Sequence, residues 1–69
     1  MEISTRNQLP ATVKSVDIDN VMAEIVMELS SGDEITATIT RKSAERLGLQ
    51  PGDRVFALIK ATEVMVGKR

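Results

Sequence analysis

Three short polar stretches in this chain carry side chains suited to chemistry: Ser4-Thr5-Arg6-Asn7-Gln8, Thr40-Arg41-Lys42-Ser43 and Lys60-Ala61-Thr62. They hold hydroxyls, carboxamides, guanidinium and ammonium groups, and no carboxylate. That donor set suits a tetrahedral oxyanion, which offers four acceptor oxygens and two negative charges. Arginine brings a planar fork of N–H donors and lysine a point charge. A helix N-terminus adds free backbone N–H groups. The set Ser4, Arg6, Asn7, Thr40, Ser43, Lys60 and the backbone near Ala61 contains all of these. At an effective dielectric of about 20, a unit charge pair about 4 Å apart is worth about 4 kcal/mol. Two cations therefore offset much of the cost of desolvating a dianion, and a single exposed arginine does not. Such a site must be closed. A domain of 69 residues has no interior room for it, whereas an interface between subunits has. Taken singly, each group has a plainer reading. Arg6 suits a solvated charge near the N-terminus, Thr40 and Ser43 suit a helix cap, and Lys60 suits a strand end. The coincidence of three clusters is what points to a site.

Enzymatic readings find little support. Histidine and cysteine are both absent, which removes the usual base for activating a hydroxyl, the usual zinc ligands and any disulfide. A Ser–Lys pair using Lys42 or Lys60 has no pocket-sized domain around it. Glu24 and Glu28 alternate along one strand face as solvated carboxylates, and Asp17 and Asp19 read as turn residues. The four glycines are isolated, so no phosphate-cradling loop is present. The formal net charge of −1 lacks the basic excess of a nucleic-acid binder. No apolar run approaches a membrane span, and Met1 opens a polar segment rather than a signal peptide. The expectation is one non-enzymatic domain over 1–69, cytoplasmic, with no bound cofactor or directly ligated metal and no nucleic-acid or membrane partner.

The elements that must position these residues follow from period. Val21, Ala23, Ile25, Met27 and Leu29 alternate with polar or outward residues and predict a strand. Ser31-Gly32-Asp33 predicts a hairpin turn, and Ile35, Ala37 and Ile39 a second strand. Upstream, Ala11 and Val13 point inward and the phase then slips to Val16 and Ile18, as a β-bulge produces. Asp19-Asn20 suits the turn between these strands. Thr40 suits the cap of a two-turn helix with Ala44 and Leu47 on one face, ended by Gly48. After Pro51-Gly52, Val55, Ala57 and Ile59 predict another strand, and Val64 and Val66 a last short one. The order β-β-β-α-β-β predicts an all-β, five-stranded OB-like barrel with one short helix between strands three and four. Met22, Val26, Phe56, Leu58 and Met65 fall on its water-facing side. So small a core needs a staple, and with cysteine absent an apolar outer patch points to self-association.

The same stretches carry a family resemblance. Ser4-Thr5-Arg6-Asn7-Gln8-Leu9 resembles the S-x-R-N-Q opening of the molbindin (Mop) domain, which binds molybdate and tungstate. Ile39-Thr40-Arg41-Lys42-Ser43 resembles its I-T-x-x-S junction, and Leu47-Gly48-Leu49-x-Pro51-Gly52 its helix exit. Ile59-Lys60-Ala61-Thr62-x-Val64-Met65 resembles its closing segment. The resemblance implies an OB-like barrel, intertwined dimers, and for single-domain members a homohexamer built as a trimer of dimers, with anions between subunits. It also implies that Ser4, Arg6, Lys60 and the amide of Ala61 contact one oxyanion, and that Thr40 and Ser43 complete the site from the partner chain. Asn7 and Thr62 are the neighbouring candidates. Thr5 stands where alanine is common in that family, either as an added donor or as mere filling. The implied role is storage and buffering of molybdate or tungstate in metal homeostasis. Two alternatives stand beside it. The segment from Ile39 to Ile59 also resembles the AbrB/antitoxin type of swapped-hairpin DNA-binding transcription factor. A regulatory domain docking on a transporter ATPase is the other.

Overall fold

The computed structural model describes residues 5–69. Its elements run β1 (Asn7–Ile18), β2 (Met22–Leu29), β3 (Glu34–Thr40), α1 (Arg41–Leu47), β4 (Arg54–Ile59) and a single 3₁₀ turn (Ala61–Glu63). The strands form one sheet in the order β3-β2-β1-β4, with every neighbouring pair antiparallel.

β1 is the spine of this sheet. Its first half pairs with β4, from Asn7 opposite Ile59 to Thr12 opposite Arg54. Its second half pairs with β2, from Ala11 opposite Leu29 to Ile18 opposite Ala23. The ladder shifts register between Val13 and Ser15, where the sequence phase slips. A bulge adds a residue on one strand and increases local bend and twist, so the sheet curls. Ala11 and Val13 are buried before the shift and Val16 is half-buried after it. Ile18 departs from expectation: at the strand's end it is 44% exposed.

The turns use the residues their geometry needs. At the β1–β2 turn the Asp19 carboxylate accepts hydrogen bonds from the Val21 and Met22 amides at 2.9 and 2.7 Å. At the β2–β3 turn Gly32 sits at φ 90°, which an L side chain rarely adopts, and its N–H donates to the Leu29 carbonyl at 2.9 Å. Before β4, the Gly52 amide donates to the Val13 carbonyl at 2.8 Å and the Val13 amide to the Asp53 carbonyl at 2.9 Å. The helix-to-strand loop is thereby fastened to the bulge region.

Ala11, Val13, Ala23, Ile25, Met27, Ala44 and Ala57 form the buried core. These are small or medium side chains, and the helix contributes only Ala44. Leu47, expected to share its buried face, is 67% exposed. The helix is seven residues long and contributes no second buried side chain.

The expected five-stranded barrel is corrected to a four-stranded, OB-like half-barrel. Val64 and Val66 alternate as a strand would, but after the 3₁₀ turn the chain forms no ladder among the described residues. Met65 and Val66 are 92% and 95% exposed. Edges β3 and β4 remain unpaired with each other, leaving an apolar trough of about 390 Å³ between them. Val13, Ile25 and Met27 form its floor, and Ile35, Ile39, Val55 and Ile59 are among its walls. The outward apolar residues are not one patch either. Phe56 and Leu58 lie on β4, Met22 and Val26 on β2, and β1 separates the two strands. β1 presents Thr12 and Lys14 between them, with Lys14 paired to Glu34 and, at 3.6 Å, to Glu28. Among the described residues no helix is long and apolar enough to cross a membrane.

Candidate functional site

The ladder between β1 and β4 decides where the cationic residues stand. Its last rung pairs Asn7 with Ile59. Arg6 and Lys60 directly flank this rung on the two segments, Arg6 in a bend and Lys60 at the start of the 3₁₀ turn, where the ladder ends. Both residues are exposed, and neither joins an ion pair among the described residues. Two cations that flank the last rung of a ladder, with no ion-pair partner among the described residues, are a favourable seat for an anion.

Local hydrogen bonds shape this end of the sheet. Arg6 is the exposed apex of a bend between Thr5 and Asn7. The Thr5 hydroxyl donates to the Ile59 carbonyl at 2.7 Å, and the Gln8 carboxamide donates to the Thr5 carbonyl at 3.0 Å. On the facing strand Lys60 is the N-cap of the 3₁₀ turn, its carbonyl accepting from the Glu63 amide at 2.9 Å. Ala61 and Thr62 form the body of that turn and are exposed, while Asn7 is half-buried. Arg6, Asn7, Lys60, Ala61 and Thr62 are therefore neighbours. Ser4 lies outside the described residues.

Thr40 and Ser43 form a second polar centre at the start of α1. Thr40 has extended φ and ψ, and its hydroxyl oxygen accepts from the Ser43 amide at 3.1 Å, as a helix cap does. The Thr40 hydroxyl also donates to Ser43 Oγ at 2.8 Å. The two hydroxyls therefore share one hydrogen bond, which leaves one hydroxyl proton of the pair for an outside acceptor. α1 carries no acidic residue in its first turn.

The two centres do not meet within one chain. Thr40 pairs with Met22 at the end of the sheet where Ile18 pairs with Ala23. Asn7 and Ile59 lie at the other end of the 12-residue β1. At about 3.3 Å per residue, the path along β1 between them is roughly 36 Å. The bonds of Thr40 and Ser43 stay within their own turn, and no ion pair among the described residues links the two centres. The described residues also hold no cluster of three or more acidic, cysteine or histidine groups able to ligate a metal ion directly. Thr5, whose sequence context allows either an added donor or mere filling, is a donor to the fold. Its bond to Ile59 spans 54 residues of sequence, and no local pattern signals it.

Known proteins share this architecture. The TOBE domain profile matches residues 3–66. Molybdenum-pterin-binding protein 3 of Clostridium pasteurianum is 44% identical over 66 residues, covering 96% of this chain and 97% of that protein. Molybdenum-pterin-binding protein MopA of Rhodobacter capsulatus is 48% identical over 66 residues, and the chain spans only 25% of its length. The high-resolution structure of a molybdate-binding protein from Sporomusa ovata superposes with a TM-score of 0.92 at 53% identity, covering 99% of this chain and all of that one.

Proposed function

The chain belongs to the TOBE-domain family, in its molbindin (Mop) branch, and from that premise we propose that it binds molybdate or tungstate between subunits of a homo-oligomer, for storage and buffering, without catalysis. The observation that carries this reading is the last rung of the β1–β4 ladder, Asn7 with Ile59, which is flanked by Arg6 on one segment and Lys60 on the other. A doubly charged anion turns the repulsion between them into two attractions. Ser4, Asn7, Thr62 and the amide of Ala61 supply further donors around it. Thr40 and Ser43, at the far end of the same chain, complete the shell from a second copy through the hydroxyl proton that their mutual hydrogen bond leaves over.

The second copy also answers a packing deficit. One chain leaves an apolar trough between β3 and β4 and an apolar tail at Val64–Val66. A trough and a strand-like tail on every protomer are complementary surfaces. Their mutual burial supplies the staple that a core of seven mostly small residues lacks. The expected assembly is the hexamer of three dimers implied by the resemblance.

Selectivity follows from size. Sulfate has the same charge and shape with shorter bonds to oxygen. Donors placed for the larger anion leave sulfate short of partners, and each buried unpaired donor costs about 1–3 kcal/mol. Molybdate and tungstate are nearly equal in size, so discrimination between them is weak.

Native mass spectrometry with added molybdate, tungstate and sulfate tests the reading. The expected result is a hexamer that gains several molybdate or tungstate ions and ignores sulfate. A dimer that takes up neither metal oxyanion and shifts a DNA probe overturns it in favour of a DNA-binding role. A protein that binds only a partner ATPase overturns it in favour of a docking domain.

A further inference from the structure

The bend that carries Arg6 is closed from both sides on one residue. Asn7 faces Ile59 across the last rung of the ladder. Thr5, on the other side of Arg6, returns its hydroxyl to the carbonyl of that same Ile59 at 2.7 Å. The Gln8 side chain then holds the Thr5 carbonyl at 3.0 Å, spanning the bend beneath Arg6. Ile59 immediately precedes Lys60. A single residue of β4 therefore anchors both flanks of the arginine and carries the lysine next to it.

We propose that Thr5 is a positioning residue for the oxyanion site: its hydroxyl clasps the Arg6 bend to the end of β4 and fixes the backbone positions from which Arg6 and Lys60 reach the anion. The inference rests on the oxyanion reading above and adds to it a residue that does not itself touch the anion. Thr5 is half-buried and its hydroxyl proton is committed to the carbonyl, so it is not a direct donor to the ligand. Its contribution is pre-organisation. Ordering a loop before binding lowers the conformational cost of binding. It also fixes donor spacing, which is what separates a large tetrahedral oxyanion from a small one.

The test uses the full chain with Thr5→Val, which keeps the shape and removes the hydroxyl. Thr5→Ala is the smaller alternative, and Thr5→Ser restores the donor. Calorimetry with sodium molybdate and with sodium sulfate is run on samples matched for oligomeric mass by light scattering. Removal of the hydroxyl is expected to weaken molybdate binding roughly three- to tenfold, the worth of one hydrogen bond. The ratio of molybdate to sulfate affinity is expected to fall, and Thr5→Ser to return both quantities to within about twofold of the parent. A merely structural role lowers the melting temperature without changing that ratio. Unchanged molybdate affinity and selectivity in Thr5→Val and Thr5→Ala, beside a parent that binds molybdate and an Arg6→Ala variant that does not, overturns the clasp alone. Failure of Thr5→Ser to recover what Thr5→Val loses does the same. A parent protein that takes up no molybdate overturns the oxyanion reading and the clasp with it.

Discussion

Removing one charge of the Arg6–Lys60 pair should change the protein in opposite directions with and without its anion. In Lys60→Gln the ammonium is lost and a polar side chain of similar reach remains. Without anion, the two are exposed like charges flanking the end of the ladder. Even if their charged ends came within about 5 Å, the repulsion in a solvent-dominated dielectric would be about 0.8 kcal/mol, and salt reduces it further. The anion-free variant should therefore be as stable as the parent or slightly more so. A domain of 60–100 residues shifts its melting temperature by about 4–8 °C per kcal/mol, so the expected rise is a few degrees at low salt. With the anion enclosed, the same substitution removes a charge-assisted hydrogen bond worth about 1.5–3 kcal/mol, or roughly 10- to 150-fold in affinity. Ligand linkage makes this visible in melting curves. At a hundred times the dissociation constant the parent gains about 2.7 kcal/mol, whereas a variant thirtyfold weaker gains roughly 0.9 kcal/mol at the same concentration. Scanning calorimetry with and without molybdate, at fixed protein concentration and in low and high salt, measures both arms. Arg6→Gln should behave alike. A variant that loses the same stability with and without molybdate refutes the reasoning, because its charge then serves the fold rather than the anion. So does a variant whose molybdate-induced shift equals the parent's.

Other perturbations test the framework around the site. Phe56→Asp places a charge on the outward face of β4, where Phe56 is 50% exposed and opposite Pro10. Light scattering should report smaller species, and an intact hexamer would show that this face is free. Gly48 ends α1 at φ 63°, and a methyl group added to its Cα would meet nothing within 4 Å. Gly48→Ala should thus cost only the left-handed strain of an L residue, about 1–2 kcal/mol by chemical denaturation. Asp19 is held below the ordinary carboxylate range by hydrogen bonds from the Met22 and then the Val21 amide. A depressed carboxylate stabilises the fold above its unfolded pKa and loses that contribution as pH falls through the folded one. Stability should decline below the ordinary aspartate range near 3.8, and Asp19→Asn should flatten that acid limb in a pH series of melting temperatures.

What the sequence discloses and what it hides divide along physical lines. The Thr40 cap, the Gly48 exit, the Asp19 and Gly32 turns and the slip at Val13–Ser15 each depend on a few adjacent residues, and local chemistry specifies them. Alternation also marks Ala23, Ile25 and Met27 as core. Leu47 fails because helical period says which residues share a face, not how far that face is covered. Val64–Val66 fails as a strand because alternation reports a chain able to pair and is silent on whether a neighbour lies within reach. The β4 patch and the β2 patch read as one because strand order, with β1 between them, is a property of topology. Thr5 is ambiguous in sequence for the same reason: the carbonyl it meets lies 54 positions away.

The candidate site shows this division most sharply. Arg6 and Lys60 are brought to one end of the sheet by the register of β1 with β4, whose last rung they flank, while Thr40 and Ser43 are fixed by α1 at the other end of β1. Donors at opposite ends of the 12-residue β1 stand apart within one protomer and do not share one tetrahedral guest there. If all of them serve one anion, they come from two chains, and binding is then linked to assembly. Each bound anion favours the associated state, and dilution of the protein weakens apparent affinity by mass action. A molybdate affinity that stays constant while dilution drives the assembly to monomers would place every donor in contact with the anion on one chain and overturn the link between binding and assembly.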